Sequence, residues 1–171
     1  MTSLKSSQPE RTVWTIGSYA SAHMNLTTSE TTVHAPARGS FCDLTDDLTR
    51  AVKDSGVVEG TALAFCAHTT CSLILNEWEE GALEDLLRRL EVLVPHDAYY
   101  AHDDMSRRTQ NLQAEERVNG RSHVVQIILG GSSQSIPVSS GRPALGVWQR
   151  LFLVELDEPK PRRIVFQVYG P

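Results

Sequence analysis

The 171-residue sequence predicts an α+β domain of about seven strands, in mixed or antiparallel sheets, with two main helices packed on one sheet face. Three observations predict it. The final third of the chain alternates β-rich runs with glycine, serine and proline breaks. Two segments nearer the middle repeat apolar residues at helical spacing. No apolar run approaches the ~18 residues of a membrane span.

Residues 1–11 (Met1 to Arg11) are rich in Ser, Thr, Gln and Pro without periodicity and read as a disordered lead-in, leaving 12–171 as a single domain. Between Thr12 and Leu26 the apolar residues are sparse and broken by Gly17, which gives a first strand; Thr31–Val33 gives a second short one, closed by Pro36 and Gly39. Phe41, Leu44, Leu48, Ala51 and Val52 then recur at three- and four-residue spacing behind the acidic start Asp43–Asp46, a helix that Gly56 ends. Thr61–Ala67 is a buried strand, and it runs into a second one, Ala67–Glu77, with a polar head. The two form either a hairpin around His68 or one longer bent strand.

Glu79 and Glu80 suit a helix N-terminus, the stripe from Leu83 to Val94 supplies its apolar face, and Pro95 stops it. From Pro95 to Arg121 the chain is polar, beyond the ~12–15 residues of an ordinary loop, and its tyrosines and histidines mark it as functional. The remaining strands are His123–Leu129, Gln134–Ser139, Trp148–Asp157 and Arg162–Tyr169.

A formal charge of −5 without a basic stripe argues against nucleic acid as a partner, and the absence of an apolar span argues against a membrane. Cys42, Cys66 and Cys71 match neither a disulfide framework nor a zinc knuckle and read as reduced thiols of a cytoplasmic protein.

His68, His102 and His123, with Glu77, offer a three-histidine site for a divalent metal such as zinc. Their spacing forms no local motif, so convergence rests on the fold; the other reading is histidines at surfaces and strand ends. The turns Gly130–Ser133 and Ser139–Arg142, with the Arg142 guanidinium, could hold an oxyanion, although hairpin turns belong at both places. Asp103 and Asp104 could bind Mg²⁺ with a substrate phosphate. Gln149, beginning a strand after Gly146, offers an amide to a ligand, and Glu155 shares its face in a regular strand.

Taken together, His68-Thr69-Thr70, Asn76-Glu77, Leu93-Val94-Pro95, Tyr100-Ala101-His102, Asn119-Gly120 with His123, Ser135-Ile136-Pro137-Val138, Gly141-Arg142 and Leu145-Gly146-Val147-Trp148-Gln149 with Glu155-Leu156-Asp157 resemble the YjbQ-like family, described as secondary thiamine-phosphate synthases. The resemblance runs from about Thr31 to Val168. It departs at Val147, where the family has Thr, and at Trp78-Glu79-Glu80. It implies a YjbQ-like fold, a homotrimer, and a pocket near subunit boundaries holding the matched histidines. It implies a weak transferase activity joining hydroxymethylpyrimidine diphosphate to thiazole phosphate with release of pyrophosphate, so that the partner is a small phosphorylated metabolite. The expected catalytic residues are Glu77, Asn76, Arg142 and Gln149, and the expected cofactor is a divalent metal, Zn or Mg, on His68, His102 and His123. Two other readings stand beside it: a zinc-dependent hydrolase or lyase with Glu77 as general base, and a non-catalytic trimeric protein that captures a small anion.

Overall fold

The computed structural model describes residues 11–21 and 24–171, so the expected lead-in over residues 1–10 lies outside the described residues, while Arg11 already belongs to a strand. Two antiparallel sheets build the domain. The larger contains β1 (Arg11–Ser21), β2 (Met24–His34), β9 (Pro161–Gly170), β4 (Gly60–Cys66), β6 (Ser133–Ser139) and β7 (Arg142–Pro143), in that spatial order. The smaller contains β3 (Phe41–Asp43), β8 (Gln149–Glu155) and β5 (Cys71–Glu77). The α+β expectation therefore holds, and the described residues carry nine strands.

The smaller sheet is the middle layer. Its Cys71, Leu73, Leu151 and Leu153 face the larger sheet, where they join Ala62, Ala64, Ile136, Ile164, Phe166 and Val168 in one core. Helix α1 (Thr45–Ser55) adds Leu48, Ala51 and Val52 to that core and ends at Gly56, whose φ of 72° is the left-handed stop that glycine allows. The other face of the smaller sheet presents Ile74, Phe152 and Val154 to Leu90 of α2 (Glu80–Leu93) and Val125 of α3 (Gly120–Ile128). The Glu79 carboxylate caps α2 by accepting from the Gly81 and Ala82 amides.

Three expectations are corrected. The strand expected over His123–Leu129 is helix α3. Its β-branched residues favour a strand locally, but Val125 is buried beneath the smaller sheet, and the helix start is held by a carboxylate far back in the chain: Asp103 Oδ1 accepts from the Asn119 and Gly120 amides at 3.0 and 2.8 Å. The strands on either side of His68 make neither a hairpin nor one bent strand, because β4 and β5 lie in different sheets and residues 67–70 carry the chain across. The short strand expected at Thr31–Val33 is the end of an eleven-residue strand whose Thr and Ser content hid its length.

The chain also crosses between the sheets from β8 to β9, and one ion pair brackets that crossing. Arg162 Nε donates to Glu155 Oε2 at 2.7 Å and its Nη2 meets Glu155 Oε1, with both residues almost fully buried. Arg162 also donates to the Thr70 hydroxyl at 3.1 Å and the Thr70 carbonyl at 3.2 Å, which ties the β4-to-β5 crossing to the β8-to-β9 crossing. Removing one partner strands a buried charge, so Glu155→Gln is expected to destabilise the domain by about 3–5 kcal/mol in denaturant titration, while Glu155→Leu combined with Arg162→Met costs less than either single change. A single substitution that leaves the midpoint unmoved would show that the pair contributes nothing.

Candidate functional site

Both crossings occur at the same end of the molecule, and a cleft of about 560 Å³ opens there. His68, His102 and His123 all line it, together with Arg108, Arg117, Lys160 and Arg162. Each histidine is placed by a different local device.

His68 sits in the β4-to-β5 crossing. Where β4 ends, β9 still projects the Arg163 N–H that the next β4 residue would have accepted in a longer ladder, and His68 Nε2 accepts it instead at 3.0 Å. His102 lies in the 3₁₀ turn Ala101–Asp103, with its Nδ1 3.3 Å from Asp103 Oδ1. That turn packs tightly on the start of α3, because a Cβ on Gly120 would come within 2.8 Å of Tyr100 Cβ and 3.1 Å of His102 Cβ. The close approach brings the His102 ring to 4.5 Å, centroid to centroid, from His123 in the first turn of α3.

Burial, then the nearby charges of Arg162 and Lys160, hold the His68 pKa below the ordinary imidazole value. Burial, then His102, lower that of His123, against the opposing pull of Asp157. Both rings are therefore neutral at neutral pH. The cations of the cleft all have carboxylate partners: Arg108 with Glu116 at 2.7 Å, Lys160 with Asp157 at 2.6 Å, Arg117 with Glu158, and Arg162 with Glu155. Although burial alone would raise it, the Asp157 pKa is held low by hydrogen bonds from Lys160 and Asn119.

Among the described residues, no group of three or more His, Cys, Asp or Glu side chains is arranged to hold a metal ion. The reason at His68 is chemical. A ring nitrogen that accepts from a backbone N–H has no lone pair left for a metal, and its second nitrogen then carries the proton. A three-imidazole zinc centre does not fit this arrangement.

The expected catalytic residues lie elsewhere within the chain. Asn76, Glu77 and Gln149 sit at the other end of the smaller sheet, since Glu77 pairs with Gln149 while Cys71 pairs with Glu155 beside the cleft. Six residues of strand put them about 20 Å away. The Gln149 amide is used locally, its Oε1 accepting from the Gly146 N–H at 2.8 Å. Arg142 is in the hairpin next to Val138, which pairs with Gly60 at the start of β4, again about one strand length from His68. The cleft cations that sequence reading passed over as site residues are Arg108, Arg117, Lys160 and Arg162. Arg162 left a signal, because it falls on the same alternating face as Ile164, Phe166 and Val168, all buried, and a charge on such a face needs a partner.

A family model described as UPF0047 protein YjbQ-like matches residues 29–171. A UPF0047 protein of Archaeoglobus fulgidus is 36% identical over 136 residues, covering 80% of this chain and 96% of that protein. UPF0047 protein YugU of Bacillus subtilis is 28% identical over 134 residues, covering 78% and 92%. The crystal structure of a YbjQ-like protein from Sulfolobus solfataricus superposes with a TM-score of 0.75 at 30% identity, covering 87% of this chain and 100% of that one.

The lowered histidine pKa values fix a pH dependence. Below the ordinary imidazole value of about 6.5 the unfolded chain takes up protons that the folded chain refuses, so stability is full above it and falls as the pH drops. Melting temperatures are expected to plateau above about pH 7 and decline toward pH 5, with a shallower decline in His68→Gln and His123→Gln. An identical decline in both variants would remove these rings as its source.

Proposed function

The chain belongs to the UPF0047, YjbQ-like family, and from that membership and its cleft we propose that it binds small phosphorylated metabolites and catalyses group transfer of the thiamine-phosphate synthase type. The observation that carries the reading is the gathering of three histidines, one lysine and three arginines around a single opening. Its volume of about 560 Å³ falls within the range of metabolite pockets.

In this reaction the bond between the pyrimidine methylene carbon and the diphosphate oxygen breaks, pyrophosphate leaves with the electron pair, and the thiazole nitrogen supplies the pair for the new C–N bond. No proton has to be removed. The demand on the protein is to receive the departing charge, and the diphosphate brings its own Mg²⁺ as part of the substrate. Lys160 and Arg117 are suited to this, because each can exchange a carboxylate for a phosphate oxygen, and His68 adds a neutral N–H.

We read the working form as a homotrimer with the cleft near a subunit boundary. Helix α3 supports this reading, since it carries His123 toward the cleft while Ile127 and Ile128 stand 75% and 52% exposed on the same helix. Three buried thiols suit a reducing, cytoplasmic setting.

Purified protein supplied with hydroxymethylpyrimidine diphosphate, thiazole phosphate and Mg²⁺ is expected to form thiamine phosphate, and Lys160→Ala to lower the rate about 100-fold. Absence of product above a protein-free blank overturns the transferase reading. If inorganic pyrophosphate nevertheless raises the melting temperature, the chain is an anion-binding protein.

A further inference from the structure

We propose that the cleft holds two imidazoles in the same Nδ1–H tautomer but turned so that His68 offers it a hydrogen-bond donor and His102 an acceptor, with Asp103 as the positioning residue for His102. This rests on the protein's own hydrogen bonds and is independent of the transferase reading, whose substrate class it narrows.

At His68, Nε2 accepts from the Arg163 N–H, so the proton of the neutral ring is on Nδ1 and the free edge of the ring is a donor. At His102 the edge occupied by the protein is the opposite one. Nδ1 faces Asp103 Oδ1 at 3.3 Å, and an ionised carboxylate can only accept, so Nδ1 carries the proton and Nε2 is left with its lone pair. The Asp103 oxygen cannot turn away without cost, because it also accepts the Asn119 and Gly120 amides that open α3. One carboxylate oxygen thus sets the tautomer of His102 and the helix start that carries His123, and Gly120 supplies the clearance that lets both happen at one point. Free imidazole side chains prefer the Nε2–H tautomer, so both assignments run against the solution preference and require the protein to impose them.

The consequence is a ligand class. A molecule that satisfies both rings bears an anionic oxygen for the His68 N–H and, at another position, an N–H or O–H for His102 Nε2. An anion with no N–H or O–H, such as inorganic sulfate, satisfies only the first.

Long-range ¹H–¹⁵N correlation spectra of ¹⁵N-histidine-labelled protein at pH 7.5, assigned with His68→Gln and His102→Gln, read the tautomers directly. Both rings are expected to show a pyrrole-type Nδ1 and a pyridine-type Nε2. Asp103→Ala is expected to return His102 to the Nε2–H form while His68 keeps its pattern, which distinguishes loss of the tautomer lock from loss of the fold. Inorganic sulfate is expected to move the His68 Nδ1 resonance and leave His102 Nε2 unprotonated. An Nε2–H His102 in the unsubstituted protein overturns the proposal without reference to any variant, as does a His102 pattern unchanged in a folded Asp103→Ala chain. Neither outcome bears on whether thiamine phosphate is formed.

Discussion

The contact on which the site depends is the buried ion pair between Glu155 and Arg162. Glu155 closes the last strand of the small sheet and Arg162 stands near the beginning of the last strand of the large one, so their bond fixes the angle at which the chain leaves one layer for the other. The remaining guanidinium protons reach Thr70 and secure the β4-to-β5 passage between the sheets, the one that carries His68. A buried charge pair is weak as a source of net stability, but it tolerates few alternative geometries, because each unmet donor or acceptor in such a place is expensive. The pair therefore fixes position more than it adds strength. Two separate loops arrive at one place because a single guanidinium holds both.

Around that anchor the cleft is arranged as a set of charges already occupied. Arg108, Arg117 and Lys160 each engage a carboxylate in the protein alone. A weakly charged ligand would gain little by displacing those carboxylates, whereas a diphosphate carries enough charge to compete for several at once. The neutral state of His68 and His123 works in the same direction, since it leaves the cleft short of unpaired positive charge until an anion arrives. Under the proposed function, this pairing is what would discriminate ligands by charge number.

Much of the scaffold was readable in the chain. The helix that stops at Gly56 and the one that stops before Pro95 announce themselves by periodicity and breakers, and the last three long strands follow from their β-rich composition to within a residue or two. What failed were choices made by distant partners. Nothing local tells His123 that Asp103 will cap its helix, and nothing near His68 says that the strands before and after it belong to different layers. The histidines were grouped by their chemistry as metal ligands and again by the family resemblance, not through their spacing. Glu77 was grouped with them by its nearness in sequence to His68, and Asn76 and Gln149 on the same resemblance, yet strand direction carries all three to the opposite end of the small sheet within one chain. A motif records which residues matter together in a family; it does not record which end of a strand each occupies.

Gly120 gives that scaffold a point of independent control. It lies where the His102 turn touches α3, outside the two apolar cores, and its surroundings leave no room for even a methyl group. A single added carbon there would act as a wedge between the start of α3 and the turn of Tyr100, His102 and Asp103. The spacing between the His102 turn and the helix that carries His123 thus hangs on one α-carbon, which makes the alignment of these two rings sensitive to the smallest possible side chain.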